Sequence, residues 1–208
     1  MMRGRFVTFE GGEGAGKSTL IERARQWLCQ HGYEVVMTRE PGGTALAESI
    51  RDMVLHGKTE RLCATAELLL VFAARAQHLE ELIRPALQAG KLVLCDRFTD
   101  ATWAYQGGGR GMPALLIQTL EQSVHGDLQP DLTILLDVPV ALGLARIAGR
   151  GEADRIEREP DEFFERVRQA YLERAAAYPE RFLVVDAAPE QSLVWSQLER
   201  GLAERIAQ

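Results

Sequence analysis

Arg5-Phe6-Val7-Thr8-Phe9-Glu10-Gly11-Gly12-Glu13-Gly14-Ala15-Gly16-Lys17-Ser18 is the stretch that decides the fold of this chain. Its first six residues are β-branched or aromatic in the main and stop at two glycines, which reads as a strand. Gly11 to Ser18 fit the spacing G-x-x-x-x-G-K-[ST]. Apolar Leu20, Ile21, Ala24, Trp27 and Leu28 then mark an amphipathic helix over Leu20–His31. Strand, glycine-rich loop and helix in that order make a cradle for phosphate. Glycines let the backbone close around the oxygens, and the loop amides and helix N-terminus supply positive potential. Lys17 is placed to reach β- and γ-phosphates and Ser18 to hold Mg²⁺. The expected nucleotide contacts are therefore Gly11, Gly12, Glu13, Gly14, Ala15, Gly16, Lys17, Ser18 and the adjoining Thr19.

Further apolar runs recur at Glu34–Thr38, Lys91–Cys95, Leu132–Asp137 and Phe182–Asp186. Helical patterns separate them at Ala45–Leu55, Ala64–Ala89, Pro113–Val124, Val140–Ala148, Asp161–Ala177 and Gln191–Ile206. Strands alternating with helices imply βαβ units. The expected fold is α/β, a single-domain P-loop fold with a five-stranded, mostly parallel sheet and helices on both faces. Ligands of such sheets bind beyond the carboxyl ends of the strands. No linker or repeat divides residues 1–208, and the most loop-like charged stretch is Arg150–Pro160.

The chain has 208 residues, 46% apolar and 26% charged, enough for one sizeable core. A net charge of −6 argues against general affinity for nucleic acid or anionic membrane. An anionic substrate must then be met by locally placed arginines. Cys29, Cys63 and Cys95 are scattered and lack metal-site spacing. With no signal-peptide pattern and no apolar span, a cytoplasmic protein is expected.

Lys91-Leu92-Val93-Leu94-Cys95-Asp96 is a second apolar strand, and it ends in a carboxylate suited to Mg²⁺ or its water shell. Arg97 follows, able to neutralise phosphate charge on an acceptor facing the triphosphate. Asp137 also ends an apolar strand and competes for the metal. Pro139 comes just after it and no arginine adjoins it, so Asp96 is preferred.

From these segments outward the chain resembles the bacterial thymidylate kinases. The matching stretches are Phe9–Ser18, Thr38-Arg39-Glu40-Pro41-Gly42-Gly43-Thr44, Arg75-Ala76-Gln77-His78, Asp96-Arg97-Phe98 with Ala104-Tyr105-Gln106-Gly107, and Gly149–Glu157. They lie in the family's order across nearly the whole chain. The resemblance implies transfer of a phosphoryl group from ATP, with Mg²⁺, to dTMP. It implies that Glu13 meets the sugar 3′-hydroxyl, that Glu40 and Pro41 line the acceptor site, and that Arg51 and Arg97 meet the acceptor phosphate. Arg75 is implied to face the thymine base, and Thr102, Tyr105 and Gln106 to contact base and sugar. A phenylalanine usually stacks on the base from four residues before that arginine, where this chain has Val71. Phe72 stands three before, about 100° further round a helix. It is the expected stacking residue, with a core position as the alternative. At position 101 alanine replaces a common serine, so no role is assigned there.

The segment at about 149–160 resembles a mobile lid. Gly14-Ala15-Gly16 offers no basic residue before Lys17, so the resemblance implies that the lid brings the catalytic arginine. Arg150 is the first choice and Arg155 the second, while Arg146 belongs with the preceding helix. A homodimer packed through helices is implied as well. Three rivals remain: a kinase for another acceptor, a regulatory GTPase, and a non-catalytic ATP-binding module. Guanine-specific GTPases read their base with Asn-Lys-x-Asp, and this chain contains no asparagine.

Overall fold

A computed structural model describes residues 4–57, 62–149 and 153–206. Five described strands, β1 (Phe6–Glu10), β2 (Val35–Arg39), β3 (Leu92–Asp96), β4 (Leu132–Asp137) and β5 (Phe182–Asp186), form one sheet in the order β2-β3-β1-β4-β5. All four pairings are parallel, so the expected mostly parallel sheet is parallel throughout. β1 lies at the centre, which puts the loop after Glu10 in the middle of the carboxyl edge.

Side chains alternate across the strands, and both faces are covered. Val7, Phe9, Leu94, Ile134 and Leu136 point to one face, where they pack with Leu20, Ala24 and Leu28 of α1 (Lys17–Gln30). Leu198 and Leu202 of α9 (Gln191–Arg205) complete that layer. Phe6, Val93 and Cys95 point the other way, against Leu79, Ile83, Leu87 and Phe98. Leu135 meets Phe163, Phe164, Val167 and Tyr171 of α8 (Asp161–Ala177) on the same side.

The remaining described helices are α2 (Ala45–His56), α3 (Ala64–His78), α4 (Arg84–Gln88), α5 (Thr99–Thr102), α6 (Ala114–Val124) and α7 (Val140–Ile147). The single helix expected over Ala64–Ala89 is divided: a wide π turn at Leu79–Ile83 joins α3 to α4. Pro85 explains the widening, because it cannot donate a helical hydrogen bond and its ring crowds the preceding turn. α5 runs into a second π turn, Trp103–Gly109, which sequence periodicity did not predict. A side chain at Gly108 or Gly109 would collide with Ala170 or Phe163 of α8, so the glycines are there for close approach. Among the described residues no helix is long and apolar enough to cross a membrane.

Candidate active site

The loop between β1 and α1 owes its shape to two glycines in particular. Gly16, at φ 84°, caps α1 in the left-handed region that a side chain would strain. Gly14 touches α7, where a Cβ would run into the backbone of Gly143. Lys17 opens the helix and its Nζ donates to the carbonyls of Gly11 (3.1 Å) and Gly12 (3.0 Å). Its withdrawal from water and the neighbouring Arg97 hold its pKa below the usual lysine range, against the pull of Glu13, Asp96 and Glu10. Gly14 to Thr19 line a cavity of about 770 Å³, together with Asp96, Arg51 and Arg97.

Asp96 and Ser18 share this cavity, which bears on the metal. Asp96 Oδ1 is buried and has no hydrogen-bond partner, an oxygen of the hard-donor type that Mg²⁺ takes. Among the described residues no cluster of three or more His, Cys, Asp or Glu side chains is arranged for a metal. Protein sites commonly hold Mg²⁺ through one or two carboxylates plus substrate phosphates. Asp137, the rival, is engaged by Arg168 through two hydrogen bonds of 2.7 and 2.9 Å.

A second, smaller cavity of about 140 Å³ adjoins the first. Glu40, Pro41, Arg51, Arg75, Arg97, Thr102, Tyr105 and Gln106 all line it, brought from five separate stretches of sequence. Arg75 is 1% exposed, and a buried charge needs partners. Its Nε donates to Glu40 Oε2 (2.6 Å), and its Nη2 donates to the Phe98 carbonyl (3.1 Å) and Thr102 Oγ1 (2.9 Å). Nη1 is buried without a partner. Behind Glu40 stands buried His78, with Nδ1 3.1 Å from Glu40 Oε1 and Nε2 2.6 Å from Thr38 Oγ1. Burial pushes the Glu40 carboxyl up, but Arg75 and His78 outweigh it and hold the pKa below the usual range.

Phe72 does not line this cavity. It is buried with Leu68 and Ile117, its ring 4.9 Å beneath the Arg75 guanidinium, while Val71 occupies the cavity wall. The helical phase that separates the two positions sets the outcome: the base-stacking expectation gives way to the core alternative.

Glu13, Arg51, Arg97 and Asp154 line both cavities, and the first three form the wall between them on the side of the phosphate loop. Glu13 Oε1 accepts from Arg97 Nη2 (2.8 Å) and from the Tyr105 hydroxyl (2.7 Å). Burial works against its charge, yet Arg97, Lys17 and Tyr105 bring its pKa below the usual carboxylate range. The Arg97 guanidinium lies 4.7 Å over the Tyr105 ring, and its Nη1 donates to the Gly11 carbonyl (2.9 Å). Its backbone is held at φ 69°, in a region that costs a non-glycine residue energy. Arg51 Nη1 donates to the Pro41 carbonyl (3.0 Å).

The lid arginines separate. Arg150 lies outside the described residues. Arg155 lines neither cavity: its Nη2 donates to Glu67 Oε2 (2.6 Å) and its Nε to the Val54 carbonyl (2.7 Å). Glu67 is fully buried and also accepts from Gln106 Nε2 (2.7 Å) and Arg110 Nε (3.2 Å), a demand for cations that explains where Arg155 goes. Arg146 holds the carbonyls of Ala187 and Ala188, both at 2.8 Å.

Several contributors were not read from sequence. His78 had a signal, since it follows Arg75 by three residues and shares its helix face. Glu10, Glu67 and Tyr171 had none beyond residue type. Glu10 is fully buried, and burial together with Asp100 pushes its pKa up to about 8, against the Tyr171 hydrogen bond, Arg97 and the Phe98 amide.

The family whose description is Thymidylate kinase matches residues 9–198. The chain belongs to the thymidylate kinase family. It is 56% identical to the thymidylate kinase of Pseudomonas putida strain F1, over 98% of this chain and 99% of that one. Against the thymidylate kinase of Pseudomonas syringae pv. syringae strain B728a the identity is 58%, covering 99% and 98%. The crystal structure of thymidylate kinase from Ehrlichia chaffeensis superposes with a TM-score of 0.77 at 34% identity, covering 96% of this chain and 99% of that one. The protein is thus a nucleoside monophosphate kinase that phosphorylates dTMP.

Proposed function

We propose that the enzyme transfers the γ-phosphoryl group of ATP in line to the 5′-phosphate of dTMP, on the way to dTTP. The observation that carries this reading is the shared wall: Glu13, Arg51 and Arg97 border a phosphate-loop cavity and a base-sized cavity at once. Two substrates seated on either side would meet there, and holding reactants in line is most of what phosphoryl transfer asks of a protein.

Lys17 and the loop amides would hold the β- and γ-phosphates. Mg²⁺, when bound, would neutralise charge on the donor phosphates, with Ser18 and Asp96 the residues to hold it. Arg97 and Arg51 would clamp the acceptor phosphate. The free Nη1 of Arg75 offers a buried donor to the carbonyl edge of a pyrimidine, and the Glu40–His78 pair behind it fixes the guanidinium. Glu13, already accepting from Tyr105 and Arg97, would take the sugar hydroxyl. Gln106 and Thr102 would complete the base site. No general base is required, because a phosphate monoester is largely ionised near neutral pH.

Arg150 is the lid residue we assign to the transition state, with Arg155 a lid anchor through Glu67. We also assign a cytoplasmic homodimer. Exposed Leu46 and Met53 on α2 and Leu69 on α3 supply apolar surface on two helices that pack together. Phosphate transfer from ATP to a panel of nucleoside monophosphates tests the assignment. Turnover of dTMP well above dCMP and dAMP is expected, and turnover of either of those with none of dTMP would overturn it.

A further inference from the structure

Arg97 carries more structural support than a surface phosphate clamp requires, and part of that support comes from two residues that line neither substrate cavity. Tyr171 of α8 is 1% exposed. Its hydroxyl accepts from Arg97 Nη1 (3.2 Å) and donates to Glu10 Oε2 (2.7 Å). The other oxygen of Glu10 accepts from the backbone N–H of Phe98 (2.7 Å), the residue directly after Arg97. One buried carboxylate therefore braces Arg97 twice. It holds the side chain through a tyrosine and the strained φ 69° backbone through the next amide.

The helix that delivers Tyr171 is itself fixed to the strand ends. Three residues before it, Arg168 binds Asp137 at the end of β4; three residues after it, Arg174 Nε donates to Asp100 Oδ1 (2.8 Å). Positions 168, 171 and 174 lie on one side of α8, and that side meets carboxyl groups at the end of β4, at the end of β1 and beyond β3 in turn. α8 begins directly after the lid segment. Its Tyr171 ties the arginine on the acceptor side to the helix that follows that segment.

We propose that Tyr171 and Glu10 are positioning residues for Arg97, setting the orientation in which its guanidinium meets the acceptor phosphate. The proposal rests on the reading of Arg97 given above. A hydroxyl that orients a charged group loses its effect when that group is absent, which a double-mutant cycle measures.

Tyr171→Phe keeps the ring and removes only the hydroxyl. It should lower kcat with dTMP about tenfold, the order expected of one hydrogen bond to a charged group, and leave the KM for ATP unchanged. In an Arg97→Ala background the same substitution should change turnover by no more than about twofold. Glu10→Leu, a second variant that removes both acceptor oxygens, should follow the same pattern. A hydroxyl with only a structural role would lower the unfolding midpoint and reduce turnover equally in both backgrounds, or not at all. Equal losses in both backgrounds, or native turnover of Tyr171→Phe beside a crippled Arg97→Ala, would overturn the proposal alone. Near-native turnover of Arg97→Ala would instead remove the reading beneath it.

Discussion

The two cavities that meet at Arg97 are built by different means. On the donor side the phosphate cradle itself is contiguous: eight positions of sequence set the loop, the helix N-terminus and the lysine, and other elements close the cavity around them. The acceptor side is made by side chains from the loops after β1, β2 and β3, from α2 and α3, and from α5 and the π turn after it, held by a buried ion pair and its partners. Backbone groups fixed by local geometry tolerate neighbours of many kinds. A buried guanidinium tolerates few, because removing a partner strands a charge. The acceptor side should therefore be the more fragile half of the enzyme.

The heaviest blow to that contrast is Arg75→Ala. It leaves Glu40 buried without its arginine partner, so unfolding free energy should drop by about 3–5 kcal/mol, measured by urea denaturation, along with dTMP binding. A loss under 1 kcal/mol would mean the acceptor side is not held by its ion pair. On the donor side Asp96→Asn keeps shape and removes charge. Mg²⁺ dependence of turnover should shift to concentrations about 10- to 100-fold higher, with little change in stability. An unshifted Mg²⁺ titration would return the metal role to another group.

Phe72→Leu separates packing from recognition. The ring lies under Arg75 and not on the cavity wall, so stability should fall by roughly 1 kcal/mol while the KM for dTMP stays within about twofold. A KM rise beyond tenfold would put the ring against the base after all.

How far the sequence could be read follows the same division. The strands were legible because each is a short apolar run, buried on both faces in β1, β3 and β4, and the phosphate loop because its chemistry is local. Arg97 was found from its place after a strand-end carboxylate, Arg75, Thr102, Tyr105 and Gln106 through motif resemblance, and all five converge on one cavity. Phe72 was misplaced by one helical step, since a motif gives residue type more firmly than phase. Glu67 and Tyr171 were silent because their meaning lies in partners 88 and 74 residues away, Arg155 and Arg97. The π turn after α5 escaped because a triple glycine reads as a break, whereas here it serves contact with α8.

Glu10, at the seam of the two halves, adds a dependence on pH. Its folded pKa of about 8 lies above its ordinary value of 4.5, so the unfolded chain releases this proton first as pH rises. The group's contribution to stability is complete below about pH 4.5 and is lost progressively toward pH 8. Glu10→Gln should therefore gain stability relative to the parent protein across that window, read from unfolding curves at a series of pH values. A parallel pH dependence in both proteins would show that Glu10 is ionised throughout.

The central claim is that one arginine, placed where the cavities touch, serves transfer and not donor binding. Steady-state dTMP phosphorylation and equilibrium ATP binding measured on Arg97→Ala test it most directly. Turnover should fall by about 10³-fold while ATP affinity changes by less than about threefold. Near-native turnover, or a collapse of ATP binding equal to the loss of turnover, would contradict it.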